Sequence, residues 1–156
     1  MTVSTIDIMI RLLVAVSIGG VIGFNRQRLG KPAGLRTHML VSLGAALMVL
    51  IPLQIGTSPS PDAISRTVQG VATGIGFLGA GEILQSVNAA KELQTEAQPH
   101  RLTQPTVQGL TSAASIWTTA ALGLATGCGL WVTSLVGILF VWFILMLATQ
   151  LEKLKK

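Results

Sequence analysis

The sequence predicts an all-α membrane protein, a polytopic bundle of about five transmembrane helices. Half of the 156 residues are hydrophobic, only 11% are charged, and the mean hydropathy is +0.66, whereas soluble domains carry about 25% charged residues. The hydrophobic residues also gather in long runs, and a helix needs about 20 of them to cross the hydrocarbon core. Because these runs lack the alternation of a barrel strand, helices are the spanning structure that remains.

Five runs have the length of a span. They cover residues 6–24, 37–55, 63–87, 106–126 and 130–149. The first run has no basic segment before it and no small-residue cleavage site after it, which indicates a retained span rather than a signal peptide. Residues 127–129 leave room for only a tight turn between the last two runs, so these spans are expected to form an antiparallel pair.

The segments between and after the spans are short, with one exception. Residues 88–105 are polar and are closed by Pro99 and Pro105, which predicts a cytoplasmic loop, with a short helix over residues 89–97 as an alternative within it. Residues 150–156 form a basic cytoplasmic tail. The whole chain is therefore predicted to be one transmembrane domain with one sizeable loop.

The distribution of Lys and Arg predicts the orientation, because cytoplasmic segments hold the excess of these residues. Nine of the eleven fall on one side of a five-span chain. They are Arg26, Arg28, Lys31, Arg36, Lys91, Arg101, Lys153, Lys155 and Lys156. The N-terminus is therefore expected outside and the C-terminus in the cytoplasm.

The composition also excludes several classes of function. The net charge of +5 does not indicate a nucleic-acid partner, because the basic residues lie in short segments between apolar runs. The single cysteine, Cys128, excludes an intramolecular disulfide and a cysteine-based zinc site. The two histidines, His38 and His100, are far apart in the sequence. We expect no metal site and no cofactor.

Candidate nucleophiles are present in the fourth span but lack partners in the sequence. Thr111, Ser112 and Ser115 have no histidine or carboxylate beside them, and a hydroxyl needs an adjacent base to act as a nucleophile. We therefore expect a protein that is not an enzyme.

Polar residues within the spans are the first candidate site, because a charge at the bilayer centre costs about 2.5–3.5 kcal/mol and marks function. The candidates are Arg11, Asp62, Arg66, Gln69 and Glu82. Two alternatives are open for Arg11. It pairs with Asp7 at helical spacing, or it joins the three polar residues that begin the third span in a cluster near the outer face.

Glu82 lies in the cytoplasmic half of the third span. It is expected near the lipid headgroups or opposite Arg36 or His38. A role in proton or cation binding is the alternative for this residue.

The third span is rich in glycine. Its glycines are Gly70, Gly74, Gly76, Gly79 and Gly81. The spacing GxGxxG matches a dinucleotide-binding fingerprint by letters, but the strand before it and the helix start after it are missing. We predict helix packing through these glycines, against a small surface on the fourth span formed by Ala113, Ala114 and Ser115. A substrate path lined by carbonyls is the alternative.

The connection after the first span has an ordered motif, KPAGLRTH. Its candidate residues are Lys31, Pro32, Gly34, Arg36, Thr37 and His38. Attraction to anionic lipid accounts for the charges but not for the order, in which Pro32 and Gly34 specify a turn. The motif therefore predicts a structured cytoplasmic element.

At these positions the sequence resembles the MgtC/SapB family of bacterial inner-membrane proteins. The matching strings are KPAGLRTHMLVSLGAAL (31–47), GIGFLGAGEIL (74–84) and GLTSAASIWTTAALGLATG (109–127). They occur in the family's order and touch four of the five spans. Asn25 and Gln27 depart from the family pattern, because they stand where the family commonly has acidic residues. The resemblance is to a short form, without the soluble C-terminal domain of some members.

The resemblance implies a non-enzymatic, multi-pass protein of the bacterial inner membrane that acts in adaptation to low magnesium or to acid and host stress. It implies that the protein modulates another membrane protein. Its expected partners are the lipid bilayer and either that protein or further copies of itself. The alternative is a small oligomeric carrier or channel for a cation or a proton.

Overall fold

The protein folds into five helices and, over the residues described, no strand. The computed structural model describes residues 3–55, 60–97 and 109–154. The helices are α1 (Thr5–Arg28), α2 (Leu35–Gln54), α3 (Pro61–Ala97), α4 (Leu110–Gly127) and α5 (Trp131–Leu154). The prediction of an all-α helical bundle is confirmed. The orientation, with the N-terminus outside, stays a prediction.

Local chemistry sets both ends of α1. The Ser4 hydroxyl accepts a hydrogen bond from the Asp7 N–H at 3.2 Å, which satisfies a donor that the first turn leaves unpaired. Arg26 and Arg28 lie in the last turn, where cationic side chains interact favourably with the helix dipole. Gly30, at φ +63°, then turns the chain towards α2.

Helices α1 and α4 pack against α2 through pairs of glycines four residues apart. The pairs are Gly19 with Gly23 on α1 and Gly123 with Gly127 on α4. A Cβ on Gly23 would lie 2.7 Å from the Cα of Leu35, and one on Gly127 would lie 2.8 Å from the carbonyl oxygen of Ala46. Small residues at this spacing let helix backbones approach closely in lipid. The tightest helix crossings therefore lie on the two sides of α2.

Helix α4 lies at the centre of the bundle. It contacts each of the other four helices, whereas α1 and α3 make no contact over the described residues. Consecutive helices run antiparallel. Gly23 near the end of α1 meets the start of α2, and Gly79 in the second half of α3 meets Ala113 at the start of α4. Chains that cross a membrane repeatedly need this alternation of direction.

Helix α3 is longer than the predicted third span. The sequence predicted a polar loop over residues 88–105, with a short helix over residues 89–97 as an alternative within it. Residues 89–97 are helical, but as a continuation of α3, which runs without a break to Ala97, and residues 98–105 lie outside the described part of the chain. Residues 88–97 are mainly Ala, Glu, Gln, Lys and Leu, which favour helix. At 1.5 Å per residue, 37 residues extend about 55 Å, well beyond a hydrocarbon core of about 30 Å.

The described helices differ in hydropathy. Thr5–Arg28 and Leu35–Gln54 have the length and composition of membrane spans, and Trp131–Leu147 is a shorter apolar stretch. The third and fourth helices are richer in Gly, Ser and Thr. Helix α5 exposes many large apolar side chains, among them Leu135, Leu139, Phe140 and Phe143. A continuous exposed apolar face of this kind suits lipid.

Candidate functional site

A buried polar cluster joins α1, α2 and α4 at one end of the bundle. It contains Arg26 at the end of α1, His38 at the start of α2, and Ser112 and Ser115 at the start of α4. Their exposed fractions are 2%, 0%, 2% and 4% respectively. Polar groups this deeply buried are stable only when they are hydrogen-bonded, so the partners of each one define the site.

Arg26 is the charged member of this cluster. Its Nη2 donates a hydrogen bond to the Ser112 hydroxyl, which ties the end of α1 to the start of α4. The charge pattern alone indicates only that Arg26 is a basic residue of the first connection. A signal was present, because Arg26 falls one helical turn after Ile22 on the buried stripe of α1. That stripe comprises Ala15, Ile18, Gly19, Ile22, Gly23 and Arg26.

His38 connects α2 to α4 through both ring nitrogens. Nδ1 lies 2.9 Å from the carbonyl oxygen of Gly34, and Nε2 lies 3.1 Å from the Ser115 hydroxyl. Because a carbonyl oxygen only accepts, Nδ1 donates its proton to Gly34. The Ser115 hydroxyl has a single proton and two acceptors within hydrogen-bond distance, the His38 Nε2 and the Ser112 carbonyl oxygen at 2.8 Å. His38 and Ser115 thus link the helices as neighbouring members of one hydrogen-bond network.

The expectation that Ser115 has no histidine partner is corrected by this contact. The two residues are 77 positions apart, so only the packing of α2 on α4 brings them together. A Ser–His pair resembles the activated hydroxyl of a hydrolase. Here, however, His38 is fully buried and Ser115 is 4% exposed, so both side chains lie inside the bundle.

The predicted cytoplasmic motif forms the connection between α1 and α2. Its residues Lys31, Pro32, Gly34, Arg36, Thr37 and His38 surround the first turn of α2. Arg36 and Thr37 are exposed, whereas Ala33 is 2% exposed and packs inside. The Lys31 N–H donates to the carbonyl oxygen of Arg26 at 3.1 Å. The connection between α1 and α2 is therefore hydrogen-bonded to the backbone of a residue of the polar cluster.

Asn25 and Gln27, which stand where the family commonly has acidic residues, have different environments. The Gln27 side-chain oxygen accepts a hydrogen bond from the Leu35 N–H at 3.2 Å, so the amide caps the first turn of α2 as a carboxylate would. The Asn25 Oδ1 is buried and has no hydrogen-bond partner among the described residues. A neutral amide thus satisfies one position, while the other holds an unsatisfied acceptor.

Glu82 faces the start of α4. Its Oε1 is buried without a hydrogen-bond partner in the described part of the chain, and so is the Ser86 hydroxyl one turn later. A Cβ on Gly109 would lie 2.7 Å from the Ser86 Oγ and 3.2 Å from the Glu82 carbonyl oxygen. Over the described residues Glu82 forms no ion pair with Arg36 or His38, and the His38 nitrogens are bonded to Gly34 and Ser115.

Arg11 forms a second arginine contact at the opposite end of the bundle. It pairs with Asp7 at 2.8 Å, and its Nη1 donates to the carbonyl oxygen of Gly127 at 2.7 Å. A cation is favourable at this place, because the last carbonyl groups of a helix are unpaired and carry partial negative charge. Arg11 therefore closes the C-terminal end of α4 and packs on the turn at Gly129, where φ is +77°.

The alternative cluster of Arg11 with the start of α3 is not formed within the chain. Asp62, Arg66 and Gln69 are all exposed on α3, and α3 does not reach α1 over the described residues. Hydropathy predicts their common height along the bundle but not the direction in which each helix faces. Of the two interpretations of Arg11, the structure contains the pair with Asp7.

The predicted packing of the α3 glycines against α4 is formed at one point only. A Cβ on Gly79 would lie 3.4 Å from the Cβ of Ala113, whereas Gly70, Gly74, Gly76 and Gly81 have nothing within 4 Å. Of the small surface predicted on α4, Ala114 is exposed and Ser115 belongs to the polar cluster. The glycines that make close crossings lie on α1 and α4 instead.

The described residues contain no group of three or more His, Cys, Asp or Glu that could hold a metal ion. Cys128 lies half-buried in the turn between α4 and α5. Burial raises the pKa of its thiol, although the neighbouring Arg11 acts in the opposite direction. A thiol in this state is a poor nucleophile near neutral pH.

Together these features define a class of protein. Helices cross through glycine pairs, the buried side chains of Arg26 and His38 bond to a neighbouring helix, and large apolar side chains point outwards. This combination is that of a helical membrane protein.

The chain belongs to the MgtC family, whose model matches residues 12–154. It is 53% identical to SrpB of Synechococcus elongatus over 133 residues, which is 83% of this chain and 68% of SrpB. It is 34% identical to YhiD of Escherichia coli K12, whose name associates it with magnesium transport, over 94% of this chain and 63% of YhiD.

Against MgtC of Salmonella typhimurium LT2 the identity is 36%, over 77% of this chain and 43% of that protein. The chain thus spans between about two fifths and two thirds of the length of these relatives. No solved structure matches it. The resemblance stated from the three sequence motifs is confirmed at the level of the family.

Proposed function

We propose that this chain is a multi-pass protein of the bacterial inner membrane that acts without catalysis, in adaptation to low magnesium or to acid and host stress, by modulating another membrane protein. Membership of the MgtC family supports the setting, and the name of YhiD supports the connection with magnesium. The antiparallel order of the helices supports repeated membrane crossing.

One observation carries the choice of a modulator. Polar side chains at both ends of the bundle bond helices to one another or to their own carbonyl groups, although the Asn25 Oδ1, the Glu82 Oε1 and the Ser86 hydroxyl are buried without a partner among the described residues. Arg26 bonds to Ser112 and His38 to Ser115 at one end. At the other end Thr126 bonds to Ser134 at 3.1 Å and to the Leu122 carbonyl oxygen at 2.8 Å. Between the two ends lie the apolar clusters. They consist of Ile18, Ile22, Leu122 and Leu145, and of Ala45, Val49, Ala120 and Leu124.

An ion path needs polar groups from end to end, because an ion in an apolar interior loses its hydration without replacement. The apolar clusters interrupt such a path within one chain. The free surfaces are the outward faces of α3 and α5, which suit contact with another membrane protein. These features favour a packed bundle that acts through its surface.

The second candidate is a carrier or channel for a cation or a proton. The unpaired, buried Oε1 of Glu82 favours it, because an ionisable group inside a span is costly unless it has a function. Asp62 offers a matched comparison, since it is an acid on the same helix that faces outwards.

The decisive experiment combines flux with purification. Purified protein in sealed liposomes is tested for Mg²⁺ and proton flux, while tagged protein from native membranes is tested for co-purifying membrane proteins. A modulator gives no flux above empty liposomes, co-purifies a membrane protein, and is required for growth at limiting magnesium. Flux that Glu82→Gln abolishes and Asp62→Asn leaves intact would establish the carrier instead.

A further inference from the structure

A groove opens between α2 and α3 on one side of the bundle. Its volume is about 690 Å³, and its lining is apolar except for Thr67. The floor contains Gly44 of α2 and Gly70 and Gly74 of α3, and a Cβ on any of these glycines would have nothing within 4 Å. The groove is therefore wide, smooth and open to the surroundings of the bundle.

The groove continues into a mouth that contains a cation. A second cavity of about 450 Å³ shares Ile51, Pro52 and Thr67 with the groove and adds the apolar Ile55 and Ala63 together with Ser60 and Arg66. This mouth lies where α2 ends and α3 begins, which is the end of two consecutive predicted spans. The apolar groove thus runs up to a cationic, hydroxyl-bearing opening at the level expected for lipid headgroups.

Arg66 has no partner at this mouth among the residues that the structure describes. It is exposed and forms no ion pair or hydrogen bond with the residues that the structure describes. Asp62, one turn earlier on α3, does not line the mouth. A guanidinium next to an apolar surface extends towards the headgroup region, and its planar fork fits a phosphate with two parallel hydrogen bonds.

We propose that the groove between α2 and α3 binds an anionic phospholipid, with one acyl chain along Gly44, Gly70 and Gly74 and the phosphate on Arg66 at the mouth. The long apolar channel and the cation at one end match the two parts of such a molecule. A helix from a second copy would also fill the channel, but it would need a carboxylate at the height of Arg66. Charge and shape together therefore favour the lipid. This inference rests on the geometry of the groove and does not depend on the proposed function.

The test measures lipid binding to the whole chain by native mass spectrometry after delipidation in detergent. Phosphatidylglycerol and diacylglycerol with the same acyl chains are the probes. The parent protein is expected to bind phosphatidylglycerol about tenfold more tightly than diacylglycerol, because one charge-assisted interaction has about that effect. Arg66→Gln removes this preference, and Arg66→Lys restores part of it.

Two matched controls separate the site from general effects. Arg28→Gln removes the same charge from the exposed end of α1, away from the groove, and retains the preference. Gly74→Leu fills the groove and weakens the binding of both lipids. Gly76→Leu, at an equally open glycine of α3 that does not line the groove, binds them as the parent does.

The proposal is overturned if Arg66→Gln and Arg28→Gln bind phosphatidylglycerol alike, or if Gly74→Leu binds as tightly as Gly76→Leu. It is also overturned if delipidated protein forms a dimer that Gly74→Leu dissociates while lipid has no effect. That last result would assign the groove to a second copy of the chain. Circular dichroism of each variant shows whether the helices are intact.

Discussion

Helix α1 carries an arginine contact to α4 at each end, and the two contacts differ in kind. Arg26 is 2% exposed and donates to a side-chain hydroxyl of Ser112 at the start of α4. The Arg11 side chain is 15% exposed, has the Asp7 carboxylate beside it, and donates to the Gly127 carbonyl oxygen at the end of α4. Arginine thus forms a buried hydrogen bond between helices at one end of α1 and caps the C-terminus of α4 at the other.

The difference has an energetic consequence. A buried charged side chain has lost its water, so removing its surroundings or its partner is expensive. A partly exposed pair keeps access to solvent and headgroups and contributes little, typically about 0–1 kcal/mol. The end of the bundle that contains Arg26, His38 and Ser115 should therefore be the more sensitive to substitution, and four changes test this in order of expected size.

Arg26→Ala is expected to lower the free energy of unfolding by about 2–4 kcal/mol, because it removes the hydrogen bond from the charged guanidinium to the Ser112 hydroxyl and leaves a cavity. Arg26→Met keeps most of the volume and should lose less. Unfolding by SDS in mixed micelles measures both. The control is Arg28→Ala, an exposed arginine of the same turn, with a change within about 0.5 kcal/mol. Equal losses of unfolding free energy in Arg26→Ala and Arg28→Ala would show that the buried arginine contributes no more than the exposed one.

Gly23→Ala tests the backbone contact beside Arg26. The added Cβ would lie 2.7 Å from the Leu35 Cα, so the helices must separate, at a cost of about 1–3 kcal/mol. Gly20→Ala is the control on the same helix, where the nearest atom is the Met39 Cγ at 3.9 Å, and its gain in helix propensity should leave it stable. Thermal unfolding in detergent compares the two. A more stable Gly23→Ala would show that this crossing is not close.

Ser115→Ala leaves the His38 Nε2 buried without its partner, which is expected to cost about 1–2 kcal/mol. Thr118→Ala is the control, because that hydroxyl bonds only to the Ala114 carbonyl oxygen of its own helix. A double-mutant cycle with His38→Ala isolates the coupling between the two side chains. Coupling near zero would mean that the contact contributes nothing to the bundle.

Arg11→Ala has the smallest expected effect, about 0.5–1.5 kcal/mol, because the cap and the ion pair are partly exposed. Asp7→Ala should cost less than Arg11→Ala, since the bond from Arg11 to Gly127 remains. Stability is measured at low and high salt, and the Arg11 contribution should shrink as salt rises. A loss as large as that of Arg26→Ala would make the two ends equivalent.

Much of the fold followed from the sequence, because hydropathy and length identify apolar helices directly. The first helix was predicted over residues 6–24 and observed over Thr5–Arg28, and the second was predicted over residues 37–55 and observed over Leu35–Gln54. The end of α3 was predicted only as a separate short helix over residues 89–97 within a polar loop, because these residues are polar and favour helix at the same time. Hydropathy distinguishes lipid from water but does not distinguish a polar helix from a polar loop.

The site was harder to predict, because it depends on which helices are neighbours. His38 was singled out as part of a connection and Ser115 as a packing residue, and only the contact between α2 and α4 makes them a pair. The glycines of α3 and α1 look alike in the sequence. A Cβ on Gly23 would nevertheless lie 2.7 Å from the Leu35 Cα, whereas a Cβ on Gly74 would have no described atom of another element within 4 Å. A glycine allows two helix backbones to approach closely, but the approach occurs only where a neighbouring helix faces that glycine.

The length of α3 has a mechanical consequence. One unbroken helix of 37 residues runs from the mouth beside Arg66 to Ala97 and, under the predicted topology, from the outer face into the cytoplasm. A rod of about 55 Å that tilts by about 10° moves its far end by roughly 10 Å. If a change of occupant in the groove between α2 and α3 tilted α3, the end of this helix on the other side of the membrane would be displaced.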